Sequence, residues 1–236
     1  MQKQLLVRAA ARNNAEWCAA MSRSHGVAGE FGGEAWTAPA RTPLYYPDAV
    51  TLVPSADPAA VTARIDTAAP GASVKDSFAD LDLTDAGFQV LFEARWIHRP
   101  AGAPARAPTL AWGVVDDAEA LRSWAEAWGD TRFFRPELLD DAATFVLAGR
   151  TPDGRVVAGA VASLSGDDGH QVIGISNVFA SDAGPDSAWP GALDAVHRRF
   201  PDLPVVGYEQ GDDLAVAVRH GFEAIGSLRV WVHGRP

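Results

Sequence analysis

The second half of the chain arranges its hydrophobic and polar positions in a clear order of elements. Leu121, Trp124 and Trp128 recur at helical spacing, and an aspartate ahead of them, Asp116 or Asp117, can cap the first turn. Three apolar runs rich in β-branched residues follow, separated by the turn sequences Pro-Asp-Gly and Gly-Asp-Asp-Gly. This order predicts an amphipathic helix and then an antiparallel meander of three strands.

Helical and strand patterns alternate after the meander. A helix carries Leu193 and Val196 on one face, and the apolar residues 203–206 predict a short strand behind it. Asp212 or Asp213 can then cap another helix, and a last strand closes the chain.

The first half shows a weaker version of the same order. We predict a strand, a helix, a strand, a short helix or turn, and a final strand at residues 49–54, 58–68, 72–78, 79–86 and 87–100. Both halves end with Gly-Phe followed by Trp-x-His, at 87–98 and again at 221–233. An internal duplication accounts for this match, and chance is the alternative.

The segment between the halves has no hydrophobic periodicity. It is rich in proline and alanine and is typical of a linker. The predicted organisation is therefore a first half at 1–100, a linker at 101–108 and a second domain at 109–236.

Composition excludes several classes of protein. The 236 residues carry a net charge of −10 with no cluster of basic residues, which argues against binding to nucleic acid or anionic membranes. A single cysteine, Cys18, excludes an intrachain disulfide, and its predicted helix favours a buried, inert thiol. No signal peptide and no apolar run of about 20 residues is present, so we expect a cytoplasmic protein. Only Lys3 and Lys75 are lysines against a majority of arginines, a bias typical of GC-rich bacterial genomes.

Familiar catalytic and nucleotide-binding motifs do not occur. The sequence contains no GxGxxG, GxxxxGK[ST], GxSxG, HExxH or CxxC. The six histidines never pair at helical spacing, so we predict no metal site.

Residues 109–236 resemble the GNAT acyltransferase superfamily in the order of their elements and in the strand that ends at Asn177, Val178 and Phe179. The resemblance implies an α/β (α+β) fold with a mixed, mostly antiparallel twisted sheet flanked by helices, and the first half looks like a truncated tandem copy. It also implies that the backbone of this strand binds the pantetheine arm of acetyl-CoA or another acyl-CoA. Ser187 and Gly191, in the next loop and helix, would then lie at the pyrophosphate.

The loop at 180–195 departs from the family pattern. It contains no Arg, Lys or Gln, while Asp182, Asp186 and Asp194 add negative charge and Pro190 removes a backbone amide. The sequence therefore predicts the wrong local charge for a diphosphate.

A different set of residues can supply the chemistry. Glu209 and Tyr208 follow a predicted central strand, where Glu209 can act as a general base and Tyr208 as an acid or positioning group. In the alternative interpretation, Asp212 and Asp213 only cap a helix and Glu209 is solvated.

Aromatic residues and one lysine in the first half are candidate substrate ligands. Trp36, Tyr45 and Tyr46 can line an aromatic or apolar site in an ordered loop, and Lys75 can bind a substrate carboxylate. Core packing for the aromatics and a surface salt bridge for Lys75 are the alternatives.

The sequence as a whole predicts a divergent acyltransferase, monomeric or homodimeric, that acylates the amine of a small molecule. Two alternatives stay open. One is a binding protein without catalysis, and the other is an enzyme of specialised metabolism that does not use CoA.

Overall fold

A computed structural model describes residues 2–103, 106–167, 169–181 and 183–234. The chain divides into two compact units, of which unit 1 comprises Met1–Trp96 with Ile225–Pro236, and unit 2 comprises Ile97–Ala224. Helices and a mixed, mostly antiparallel arrangement of strands confirm the predicted α/β class. No helix in the described part of the chain is both long and apolar enough to span a membrane.

The described residues form five α-helices and eleven β-strands. The helices are α1 Gln2–Ser24, α2 Pro58–Thr62, α3 Ala118–Trp128, α4 Trp189–Arg199 and α5 Gly211–Arg219. The strands are β1 Glu30–Phe31, β2 Ala35–Thr37, β3 Ala49–Thr51, β4 Ser73–Asp76, β5 Phe88–Arg99, β6 Ala111–Val114, β7 Thr144–Arg150, β8 Val156–Ser165, β9 Val172–Ala180, β10 Val205–Glu209 and β11 Glu223–His233. Single 3₁₀ turns occupy Thr84–Ala86, Pro136–Asp140 and Pro185–Ser187.

Unit 1 has the strand order β1-β2-β3-β4-β11-β5. Strands β3 and β4 are parallel and are connected through α2, whereas β4 and β11 are antiparallel. Helix α1 contributes Ala15 and Cys18 to a buried cluster around Trp36. The prediction of a buried Cys18 is confirmed, and burial raises the pKa of its thiol to about 11, so the thiol stays protonated and unreactive at neutral pH.

Unit 2 has the strand order β10-β9-β8-β7-β6, with the last residues of β5 beside β10. Strands β7, β8 and β9 pair antiparallel in sequence, which confirms the predicted meander. The cap of α3 is also confirmed, because the Asp117 side chain accepts from Ala120 N at 2.8 Å. Strand β6 was not predicted, since its four residues directly follow the linker and have no period of their own.

The predicted elements of the first half occur in the predicted order, with shorter bounds. Helix α2 ends at Thr62 instead of residue 68, although its start is well formed because Asp57 accepts from Ala59 N. The predicted linker includes Pro104 and Ala105, which lie outside the described residues. Its position and the division into two halves stay predictions.

Candidate active site

The parallel strands β9 and β10 of unit 2 separate along their length. They pair at Val205 with Ile173 and at Val206 with Gly174, yet β9 continues to Ala180 and β10 to Glu209. At the point of divergence, a Cβ on Gly207 would lie 2.9 Å from the Ile175 carbonyl oxygen, so only glycine allows this close approach. Beyond these two pairs, no register between β9 and β10 occurs among the described residues, so the two strands diverge.

A bulge in β9 turns the strand at this opening. The register between β8 and β9 shifts between Gly159 and Val161, and Asn177 has a left-handed φ of 51°. Asparagine tolerates this conformation better than most residues, because its short polar side chain can bond locally. Here Asn177 Nδ2 donates to Ser176 Oγ at 3.0 Å.

The three residues predicted to bind the cofactor lie together along this opening. Asn177, Val178 and Phe179 are half-buried in the last part of β9. The Phe179 ring packs edge-on against Trp124 at 5.1 Å and fills the space that Gly159 leaves, so this side chain faces α3. Phe179 can therefore contribute only its backbone to the opening, as the resemblance implies.

Glu209 lies at the end of β10, on the open side of the strand pair, with Tyr208 before it. Both residues are half-buried. Burial, assisted by the nearby charge of Asp213, raises the pKa of the Glu209 carboxyl to about 7. Such a carboxyl is partly ionised at neutral pH and can accept a proton, whereas a solvated glutamate would be ionised throughout.

The start of α5 differs from the prediction. The N-cap is Gln210, which makes no side-chain capping bond, so the prediction that Asp212 or Asp213 caps the helix was wrong. Both aspartates lie in the first turn instead, where the helix dipole favours negative charge. From this turn, the charge of Asp213 acts on Glu209.

The loop before α4 contains the other predicted cofactor residues. Ser187 is exposed and its Oγ donates to Gly184 O at 2.9 Å. Gly191 lies in the first turn of α4, where a Cβ would be 1.8 Å from Trp112 Nε1, so packing of this indole requires a glycine. Asp182 lies outside the described residues.

Two acidic residues of this region have basic partners from outside the loop. Asp186 Oδ2 lies 3.1 Å from Arg219 Nη2, and Asp186 Oδ1 lies 2.6 Å from His220 Nε2. Asp194 pairs with Arg198 one helical turn later at 3.0 Å. The negative charge of Asp186 and Asp194 is therefore offset by arginines from other positions, which the sequence of the loop alone does not reveal.

The predicted substrate residues of unit 1 have different environments. Trp36 is fully buried in the core, whereas Tyr45 is 75% exposed in the turn after Pro43. Tyr46 packs edge-on against Trp17 of α1 at 5.8 Å. The structure therefore does not gather these three aromatic side chains at one surface.

Lys75 is buried rather than exposed. Its Nζ donates to Asn14 Oδ1 of α1 at 2.8 Å, so the alternative of a surface salt bridge was wrong. Among the described residues, no group of three or more His, Cys, Asp or Glu side chains has a geometry that could hold a metal ion.

Comparison with known proteins identifies the fold. No protein-family model and no curated protein matches the sequence. A GCN5-related N-acetyltransferase from Kribbella flavida is similar in structure, with a TM-score of 0.62, 19% identity and coverage of 96% of each chain. A GNAT-family protein from Novosphingobium aromaticivorans gives a TM-score of 0.56 at 10% identity, covering 96% of this chain and 99% of the other.

The chain therefore has the GNAT fold, which confirms the resemblance at the level of the fold. A functionally unknown conserved protein from Staphylococcus epidermidis is also similar in structure. Its TM-score is 0.51 at 13% identity, and the match covers 72% of this chain and 74% of the other. Both GNAT structures match nearly the whole chain, so the similarity includes the first half as well as the second.

Proposed function

We propose that this protein transfers an acyl group from acyl-CoA to the amine of a small molecule. The observation that carries the proposal is the position of Glu209, a half-buried carboxyl with a pKa of about 7 at the open end of two separating parallel strands. The GNAT fold of the chain supports it, because the family resemblance implies that the backbone of the strand ending at Phe179 binds acyl-CoA. Fold alone does not define an activity, so the proposal rests on the site.

The residues of the site fit the ligand. The β9 backbone from Ser176 to Phe179 offers hydrogen-bonding groups on the side away from β8, as an extended amide-containing arm requires. Arg219 and His220 contact Asp186 in the loop before α4 and so offset the negative charge that would repel phosphates. Acyl-CoA supplies the acyl group as an activated thioester.

We assign a residue to each proton that moves in the reaction. The acceptor reacts as the neutral amine: its lone pair attacks the thioester carbonyl, and Glu209 takes the proton that the nitrogen loses as the C–N bond forms. The C–N bond forms and the C–S bond breaks. Tyr208, adjacent to Glu209 on β10, is the proposed donor of a proton to the leaving thiolate, because α5 carries Ala217 where the family often has a tyrosine.

Calorimetry with acetyl-CoA tests the binding step. A ligand at 100 times its dissociation constant stabilises the folded state by about 2.7 kcal/mol, which raises the melting temperature by a few degrees. Absence of binding at millimolar acetyl-CoA would contradict the proposal and favour a binding protein or an enzyme that does not use CoA.

Release of the free thiol in the presence of a panel of amines tests the chemical step. We expect Glu209→Gln to lower kcat by about 10² to 10⁴ and to abolish the rise in rate through pH 7, with acetyl-CoA affinity nearly unchanged. The matched control is Asp213→Asn, which removes a neighbouring charge but keeps the base. It should move the rise in rate to lower pH, because Asp213 contributes to the raised pKa of Glu209.

A further inference from the structure

A small cavity in unit 1 lies between α2 and the turn that joins β1 to β2. Its volume is about 120 Å³. Three of its lining residues have polar side chains, namely Glu34, Thr37 and Arg64. Small apolar side chains line the rest, namely those of Ala35, Ala60 and Val61. An anion, a cation and a hydroxyl therefore surround a space large enough for only a few heavy atoms.

The two charges on the cavity wall do not neutralise each other. Glu34 Oε2 accepts from Asp57 N at 3.0 Å, which ties this carboxylate to the start of α2. Arg64 Nη1 lies against the turn, 3.5 Å from the position that a Cβ on Gly32 would take. Within the described ranges, the Arg64 guanidinium has no hydrogen bond and no ion pair, with Glu34 or with any other residue. A ligand that carries both charges can therefore meet a cation and an anion in one cavity.

Thr37 adds a third polar group to the same wall. It lies two residues after Ala35 on β2, so both side chains share the face toward α2, whereas Trp36 between them packs in the cluster with α1. Thr37 is only 4% exposed, and no residue in the described part of the chain bonds to its hydroxyl. Buried hydroxyls ordinarily have a partner, because desolvation without one is unfavourable. A bound ligand would supply that partner.

We propose that this cavity binds a small α-amino acid in its zwitterionic form. The carboxylate of the amino acid binds the fork of Arg64 and the hydroxyl of Thr37, and its ammonium group donates to Glu34. Glu34 can accept this bond because Asp57 N occupies only one of its acceptor positions. The small volume and the apolar lining fit a side chain the size of that of glycine or alanine. The inference does not rest on the proposed function, because none of these residues belongs to the candidate active site.

Isothermal calorimetry with L-alanine, in the absence of acyl-CoA, tests the proposal. Propionate lacks the ammonium group of this probe, and L-alaninamide lacks its carboxylate. We expect saturable binding of L-alanine, and binding of each analogue that is weaker by about tenfold or more. Absence of L-alanine binding at millimolar concentration, or equal binding of either analogue, would overturn the proposal.

Four variants locate the binding. Arg64→Gln and Glu34→Gln each remove one charge of the site, and both positions are exposed, so the variants are expected to fold. The matched controls Arg122→Gln and Glu30→Gln remove the same charges at exposed positions that do not line the cavity. Each site variant should bind L-alanine about tenfold more weakly or worse, and each control should stay within about twofold of the wild type. Equal affinities of a site variant and its control would overturn the proposal.

Two further variants separate this cavity from the candidate active site. Thr37→Val keeps the shape of the side chain and removes the hydroxyl, so L-alanine should bind about fivefold more weakly. Glu209→Gln should leave L-alanine affinity within about twofold of the wild type. A loss in Glu209→Gln together with unchanged affinity in Arg64→Gln would place the amino acid at the candidate active site and overturn the inference. L-alanine binding that depends on Arg64, in a protein that does not bind acetyl-CoA, would support this inference and contradict the acyltransferase.

Discussion

In each unit, a helix joins a pair of parallel strands, and the two pairs end in opposite ways. In unit 1, β3 pairs with β4 at Ala49 with Val74 and at Val50 with Lys75, and Thr51, Asp76 and Ser77 beyond these pairs are buried. In unit 2, β9 and β10 diverge after two pairs and leave half-buried positions that include Glu209. The same local topology therefore gives a closed end in one unit and an open end in the other.

Buried hydrogen bonds close the pair in unit 1. Ser77 N donates to Thr51 Oγ1 at 2.8 Å, and Trp96 Nε1 donates to Ser77 O at 2.7 Å. The Asp76 carboxylate accepts from the backbone of Phe78 and Leu81 and so fixes the turn after β4. Polar groups that are satisfied in this way stabilise a structure but leave no room for a ligand.

A buried carboxylate takes its role from its surroundings. Burial raises the pKa of both Asp76 and Glu209. Backbone N–H groups oppose this effect at Asp76 and tie the side chain to one turn, whereas the charge of Asp213 raises the pKa of Glu209 further. Asp76 is therefore a structural residue, and Glu209 is the candidate base.

The largest expected effect is the loss of stability in Asp76→Ala. The substitution leaves buried N–H groups of the turn without an acceptor, so the free energy of unfolding should fall by about 3 kcal/mol. Urea denaturation measures it. The control is Asp82→Ala, which removes an exposed carboxylate that accepts from Thr84 N and should therefore lower stability much less than Asp76→Ala. Equal losses of stability in the two variants would show that the buried hydrogen bonds of Asp76 do not hold the closed end of the β3–β4 pair.

Glu209→Gln should have a smaller effect, opposite in sign and dependent on pH. The folded-state pKa of about 7 lies above the ordinary value of 4.5, so the folded protein binds more protons between these values. Stability contributed by the protonated carboxyl is present below pH 4.5 and is lost as the pH rises through 7. The full shift corresponds to about 3 kcal/mol, and solvent screening of this half-buried side chain reduces it. The neutral glutamine avoids this loss and should therefore be about 2 kcal/mol more stable than the wild type at pH 8, with little difference at pH 4.

Thermal unfolding at a series of pH values checks this prediction, with Asp213→Asn as the control. That variant keeps the titrating carboxyl, weakens the repulsion and also removes a charge that the dipole of α5 favours, so its gain at pH 8 should be smaller. A difference between Glu209→Gln and the wild type that does not vary with pH would contradict the raised pKa.

The sequence predicted features that local signals define. The meander of unit 2 was predicted because two Gly-containing turns separate its apolar runs, and the position of Glu209 followed from the strand and helix around it. Contacts between distant positions could not be predicted. The buried Lys75 donates a hydrogen bond to Asn14, which is 61 residues away in the sequence. Asp186 forms a hydrogen bond with His220, which is 34 residues away. Neither pair has a spacing that a periodic pattern reveals.

Backbone strain was also hidden from the sequence. A glycine in a sequence indicates where a left-handed backbone conformation can occur. Asn177 and Ala79 adopt a positive φ although neither is a glycine. Tertiary structure imposes the conformation in both cases, through the bulge beside the open end in unit 2 and through the turn held by Asp76 in unit 1.

The smallest expected effects compare these two strained residues. Ala79 has a φ of 54° and no side-chain group that can bond locally, so Ala79→Gly should raise the free energy of unfolding by about 0.5 kcal/mol after the entropy cost of glycine. Asn177 at 51° already tolerates the conformation, and Asn177→Gly should change stability by less than this amount. Urea denaturation of both variants decides the point. A larger gain at Asn177 would mean that the open end, and not the closed one, stores the greater backbone strain, as expected if the bulge is maintained for a ligand rather than for the fold.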